Sequence, residues 1–533
     1  MSRNCLIGLA VAAVAVGFLV GGCGRATPSA AGDKVFNFSL SDEPRRLDPA
    51  FVKDYHEGVV SGLVFEGLVV FGTGAEVEPG LAERWEISPD GRVYTFHLRR
   101  DARFSDGRPV TSTDVRYSFT RVLRPETGSD RRWVLDRIEG ADEVISGTAP
   151  DLRGLETPDA HTVVLRLRAA YPVFLTLLAM PTAAIIPDGS AGTGKPDPVF
   201  TERPIGSGPW VLDRWLRDQR LEFRRNQHYA GTPPFFERIN CLVQAEDSVR
   251  LRQFEVGNLD LYQVGFQVWS SWSADPQRRE RMMPLQEPRT EFIGLMCHKE
   301  PFSDARVRRA ARMSVDVSGI FEHVQKGRGV VARGPVPPGI AGYRADLPAP
   351  LRDLERARAL LAESGVNAAS RELRFFYRDE ALNAEIVRFA ASNLREAGFT
   401  VVPVPVDLAT LRQSIWDGVP DLFLGSWHLD YPDIENALVP TFHSRNIPRQ
   451  GNQVRFSDPE TDRLLETAEQ EGEAARRLAI FQQAEDRINS LAPWIPLFHR
   501  RSYHIVQPNV IGYTPKFMYN AERFIGVSKA ARR

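Results

Sequence analysis

Cysteine is scarce in this chain: there are four in 533 residues, at Cys5, Cys23, Cys241 and Cys297. There is no Cys-x-x-Cys, no His-Glu-x-x-His and no calcium-loop spacing, and the ten histidines are scattered, so the common metal signatures are missing. An excess of one charge is also lacking. The 67 Lys and Arg against 68 Asp and Glu leave a net of -1, which removes the electrostatic footprint of a nucleic-acid binder. No repeat of solenoid length is visible, and beyond the first residues no apolar run approaches the length of a membrane span.

Two apparent motifs fail on inspection. Gly189-Ser190-Ala191-Gly192-Thr193-Gly194-Lys195 has the glycine spacing of a phosphate loop, but Pro196 stands where Mg²⁺ needs Ser or Thr, and it blocks the helix that should follow. Ile205-Gly206-Ser207-Gly208-Pro209 lacks the glycine spacing of a nucleophile elbow. No cofactor motif and no nucleophile constellation is left, so no catalytic residue is assigned and an enzyme is not expected.

What is present begins at the N-terminus. Arg3 precedes an uncharged apolar run from Leu6 to Val20, followed by Gly21-Gly22-Cys23. The run is short for a spanning helix, which needs about 20 apolar residues, and its small-residue exit reads as a secretory signal over residues 1–22. Cys23 after small residues resembles a lipobox, whose thiol is acylated and becomes the new N-terminus. An uncleaved anchor or an accidental Cys23 would still export the chain. Residues 23–34, rich in Ala, Gly, Ser and Pro from Arg25 on, then form a tether. In an exported chain only Cys241 and Cys297 are available to pair, and spacing does not decide whether they do.

The remainder is too long for one core, so two or three domains are expected. Val35–Leu40 alternates as a strand. Residues 85–98 read as a hairpin turning at Ser88-Pro89-Asp90-Gly91. Thr111 with Asp114 makes a capping box ahead of Val115, Phe119 and Val122. Further helices are expected at 305–315, 353–364 before Gly365, 384–397 before Gly398, and 459–489. Buried strands are expected at 399–406 and 421–427, Trp85 and Phe96 should lie in a core, and Arg306 to Arg309 should form a solvated helix face.

Several segments then carry a resemblance. They are Pro79-Gly80-Leu81-Ala82-Glu83-Arg84-Trp85, Tyr94-Thr95-Phe96-His97-Leu98-Arg99, Phe104-Ser105-Asp106-Gly107, Ile205-Gly206-Ser207-Gly208-Pro209-Trp210, Gly257-Asn258-Leu259-Asp260 and Arg306-Val307-Arg308-Arg309-Ala310. In this order they resemble the extracytoplasmic solute-binding proteins of the peptide, opine and nickel uptake family, from about residue 35 to the C-terminus. The resemblance implies an α/β, two-lobed periplasmic-binding-protein-like fold of type II with an extra domain inserted in the first lobe. The first lobe would comprise 35–72, 201–288 and 500–528, the inserted domain 73–200, and the second lobe 289–499. It also implies a monomeric, lipid-anchored component of an ABC importer, which captures a peptide between its lobes and hands it to a membrane permease. An opine, a sugar or a metal chelate as ligand, or a sensor or enzyme reusing the scaffold, remain open alternatives.

Gly425-Ser426-Trp427-His428-Leu429-Asp430-Tyr431-Pro432-Asp433 resembles the stretch in which an aspartate three residues after a tryptophan holds a peptide's α-ammonium. By that resemblance Asp430 is the ligand contact. A turn before Pro432 is the competing use of Asp430, and Asp433 is the fallback. Trp427 would wall the ligand or pack in a core, and His428 is placed to face the cleft. Arg333 and Arg378 are candidates for the ligand's carboxylate.

Overall fold

The computed structural model describes residues 34–192, 198–367 and 371–530. The signal 1–22, Cys23, the tether up to residue 33 and residues 193–197 of the discounted phosphate-loop segment lie outside them. Among the described residues no helix is long and apolar enough to cross a membrane.

Val35–Leu40 forms the expected strand because its alternation puts Phe36, Phe38 and Leu40 on one buried face. It pairs in parallel with Arg238–Val243, and Arg220–Arg225 and Trp210–Leu216 complete a four-stranded sheet covered by the helix Tyr55–Val64. The expected hairpin is formed by Ala82–Ile87 and Val93–Leu98, turning through Gly91 at φ +67°. With Thr162–Arg166 and Leu155–Asp159 it makes a second, antiparallel sheet around the fully buried Phe96. The helix Ser112–Leu123 packs there, and its first turn is closed by Asp114, which accepts the N–H of Thr111 at 2.8 Å.

The glycines of Ile205-Gly206-Ser207-Gly208 have a structural reason. A Cβ on Gly206 would lie 2.1 Å from the carbonyl oxygen of Val64, and one on Gly208 would lie 2.7 Å from that of Leu63. Only glycine lets this segment pass the end of the helix Tyr55–Val64.

The third sheet has seven strands. Its order is Leu261–Gln263, Trp494–Val506, Met283–Leu295, Leu422–His428, Glu372–Arg378 and Thr400–Val406, with Val330–Val331 pairing beside Trp494–Val506. Met283–Leu295 and Trp494–Val506 have 13 residues each, about 43 Å at 3.3 Å per residue. Met283 and Val506 pack on the core of the first sheet, and Ile293, Leu295, Ile495 and Leu497 lie in a different core. The two strands therefore run from one core to another. Between them the register slips: Gln286 faces Arg501 but Thr290 faces His499, so residues 287–289 oppose Arg500 alone. Such an irregularity bends and twists a ladder where it occurs.

The structure corrects three local expectations. The helix over 459–489 is two helices, Pro459–Gln470 and Ala474–Leu491, because Glu473 accepts the N–H groups of Ala475 and Arg476 and starts a new one. Thr400–Val406 is an edge strand, largely half-buried rather than buried, and Pro403 and Pro405 are tolerated there because a missing N–H matters least at an edge. Arg308 is buried rather than solvated, donating to the carbonyls of Leu491 at 2.9 Å and Phe302 at 2.8 Å. Asp433, the fallback for the ligand contact, is engaged within the fold: it caps the helix Ile434–Phe442 and pairs with Arg477 at 2.8 Å. Cys241 and Cys297 are both free thiols and belong to separate cores.

Candidate ligand-binding cleft

The strand Leu422–His428 is buried over its first half and only partly buried from Gly425 onward, where it leaves the core. Trp427 turns inward, and its indole N–H donates to the carbonyl of Asn436 at 2.8 Å, tying the strand to the next helix. His428 turns the other way. It stands opposite Arg289 in the ladder, with its ring 6.0 Å from that of Tyr519. Burial lowers its pKa to about 4 against the opposing pull of Glu287, so it is neutral near pH 7.

Asp430 follows, held from behind by its own N–H, which donates to Asn436 Oδ1 at 2.9 Å. Its Oδ1 accepts from Arg131 Nη1 at 3.2 Å, while its Oδ2 accepts no hydrogen bond from the described residues. Asp430 keeps 25% of its side chain exposed and Arg131 keeps 14%. Arg131 belongs to the segment packed on the antiparallel sheet through Val134, and its other donors go to the carbonyls of Val52 and Lys53, each at 3.2 Å.

Aromatic rings wall the space beside this pair. Tyr55 and Tyr519 lie 6.4 Å apart. Tyr55 is 45% exposed, yet burial, with Glu287 and Glu522 behind it, raises its phenol pKa. The rings of Tyr55, Tyr519 and His428 and the carboxylate of Asp430 border the candidate recess.

The floor is charged and lies at the register slip. Glu287 pairs with Arg500 at 3.5 Å, and Arg289 pairs with Glu291 at 2.7 Å. Burial pushes the Glu287 pKa up, but Arg500, Arg289 and His428 outweigh it and hold the carboxyl low. Among the described residues no group of three or more His, Cys, Asp or Glu is placed to hold a metal ion.

The expected residues are thus divided. Asp430 and His428 meet at the recess, and Trp427 adjoins it with its N–H committed to the fold. Arg333 gives a guanidinium hydrogen to the carbonyl of Leu347. Arg378 is half exposed and pairs with Glu380 at 3.0 Å; it touches the group only through Glu380, whose charge is felt at Arg500. Sequence reasoning missed Arg131, Tyr55, Tyr519, Glu287, Arg289 and Arg500, because no local motif marks them.

A family model described as bacterial extracellular solute-binding proteins, family 5 Middle, matches residues 76–449. The chain belongs to that family. It is 28% identical over 480 residues to the probable D,D-dipeptide-binding periplasmic protein DdpA of Escherichia coli, covering 88% of this chain and 89% of that one. Heme-binding protein A of Haemophilus influenzae is also 28% identical, with 93% and 92% covered. The structure of the Escherichia coli murein tripeptide binding protein MppA superposes with a TM-score of 0.79 at 26% identity, covering 94% of this chain and 99% of that one. The fold is the two-lobed, type II periplasmic-binding-protein fold, and this solute-binding protein is a transport binding component, not an enzyme.

Proposed function

We propose that this solute-binding protein captures a peptide in the recess beside Asp430 and delivers it to the membrane permease of an ABC importer. Exported by residues 1–22, it would be held at the membrane by acylated Cys23. The lobes would divide near residues 72, 200, 288 and 499, and the register slip opposite Arg500 would serve as their hinge. The observation that carries the reading is Asp430 itself: a carboxylate with one unengaged oxygen, opening on a space walled by Tyr55, Tyr519 and neutral His428. A carboxylate oxygen of this kind can receive the leading N–H groups of a peptide, and closure of the lobes around it would strengthen the bond by excluding water. DdpA and MppA, both described by the peptides they bind, support it. Relatives on this scaffold also include a heme-binding protein, and the guanidinium already on Asp430 favours a second reading, a non-peptide solute.

Isothermal titration separates the two. Short peptides should bind saturably, and Asp430→Asn should weaken them by about one to two decades, the worth of a hydrogen bond to a charged group. Binding of an opine, a disaccharide or a nickel–histidine chelate, with no binding of peptides, would overturn the peptide reading.

A further inference from the structure

The pair between Arg131 and Asp430 bears on which ligand end this recess accepts, a question that rests on the reading of Asp430 as ligand contact. The carboxylate that would meet the ligand already carries a guanidinium 3.2 Å from its Oδ1. That guanidinium is fixed from the far side by the carbonyls of Val52 and Lys53 and has little exposure of its own. A free ammonium arriving at Oδ2 would be a second cation on one carboxylate, and in a partly desolvated site like charges at this range repel strongly. Most anions nearby already face a cation: Glu287 and Glu291 face Arg500 and Arg289, Glu57 faces Arg46 at 3.5 Å and Asp130 faces Lys53, while Asp54 is engaged as the N-cap of the helix Tyr55–Val64 and His428 and the two tyrosines are neutral walls. An amide N–H, by contrast, donates to Oδ2 without adding charge.

We propose that Arg131 is a specificity-determining residue that disfavours a free ammonium at the end of the ligand next to Asp430 and favours a neutral amide there, as in an acylated peptide. The same pair joins the segment packed on the antiparallel sheet to the end of the strand Leu422–His428, so it also holds the two sides of the recess together when no ligand is present.

The test uses the full-length mature protein with trialanine and N-acetyl-trialanine as probes, titrated calorimetrically against wild type, Arg131→Met, Arg131→Lys and Asp430→Asn. Arg131→Met should tighten trialanine by about tenfold and leave the acetylated peptide within about threefold. Arg131→Lys keeps the cation and should keep the wild-type preference, which separates charge from lost packing. Small-angle scattering of the ligand-free proteins should give a larger radius of gyration for Arg131→Met than for wild type. An unchanged ratio of the two affinities in Arg131→Met, while Asp430→Asn weakens trialanine, overturns the role of Arg131 and leaves Asp430 as the ligand contact. If Asp430→Asn changes neither peptide, or no variant binds trialanine, the reading of Asp430 falls and this inference with it.

Discussion

At the scale of single residues, Arg477 makes a largely buried electrostatic commitment outside the recess. It donates to Asp433 and Glu435, both at 2.8 Å, and Glu435 also accepts from the hydroxyl of Tyr171. Arg477→Met removes the cation and leaves two carboxylates facing each other, one of them buried. Breaking such a pair typically costs about 3–5 kcal/mol, and chemical denaturation should show a loss of that order. A variant as stable as wild type would mean that the pair is solvated. Legibility differed sharply at this scale. Asp430 stood out because its neighbours Trp427, Leu429 and Pro432 form a local pattern. Arg131 is 299 positions away and acquires its meaning only when the chain folds, so no window of sequence could contain the pair. Arg308 shows the same limit: it sits in a basic run, and only the carbonyl of Leu491 coming to it from far along the chain makes it a buried cap.

At the scale of elements, turns and caps were readable because their chemistry is local. Gly365 and Gly398 end helices at φ +71° and +109°, as their positions after apolar periodic segments imply. The break at Glu471 to Glu473 was not readable, since two acidic residues around one glycine look like a tolerated helix interior until Glu473 turns its carboxylate onto Ala475 and Arg476. Buried titratable groups spread over several elements carry an expected pH response. Burial pushes the carboxyls of Glu435, Glu485 and Glu522 up to about 7, so their stabilisation is present below about pH 4.5 and is lost as pH rises through 7. Burial lowers His428 and His504 to about 4 and His499 to about 3, so their stabilisation is present above about pH 6.5 and is lost as pH falls. The two sets oppose each other between about pH 4.5 and 6.5, and wild-type stability should be nearly flat there. Glu435→Gln removes one rising-pH loss. Its stability relative to wild type should therefore increase from pH 5 to pH 8, by an order of 1–3 kcal/mol at about 1.4 kcal/mol per pKa unit. Parallel profiles from melts across that range would show that Glu435 titrates normally.

At the scale of the whole molecule, two 13-residue strands run between cores, and the charged floor of the recess lies where their register slips. Crossing strands of this kind allow lobes to move as bodies while the ladder flexes at its register irregularities, between Gln286 and Thr290 and between Glu291 and Phe292. Sequence order alone implied a long chain of several cores. Composition and periodicity could not reach the pairing of Met283–Leu295 with Trp494–Val506, some two hundred positions apart, because strand partners that distant are chosen by packing; only the family resemblance drew lobe boundaries, near 288 and 499, that fall inside both strands. Membrane attachment is tested separately. Cys23→Ser should move the protein from membranes to the soluble exported fraction, and a variant that stays membrane-bound with residues 1–22 intact would contradict acylation at Cys23.

The most direct measurement is a crystal structure of the protein grown with saturating peptide. Peptide density is expected between Tyr55, Tyr519 and His428, with its leading nitrogen about 3 Å from Asp430 Oδ2 and the register slip opposite Arg500 bent further than in protein crystallised without peptide. A peptide seated elsewhere, or a recess that stays filled with water at saturation, would contradict the peptide reading.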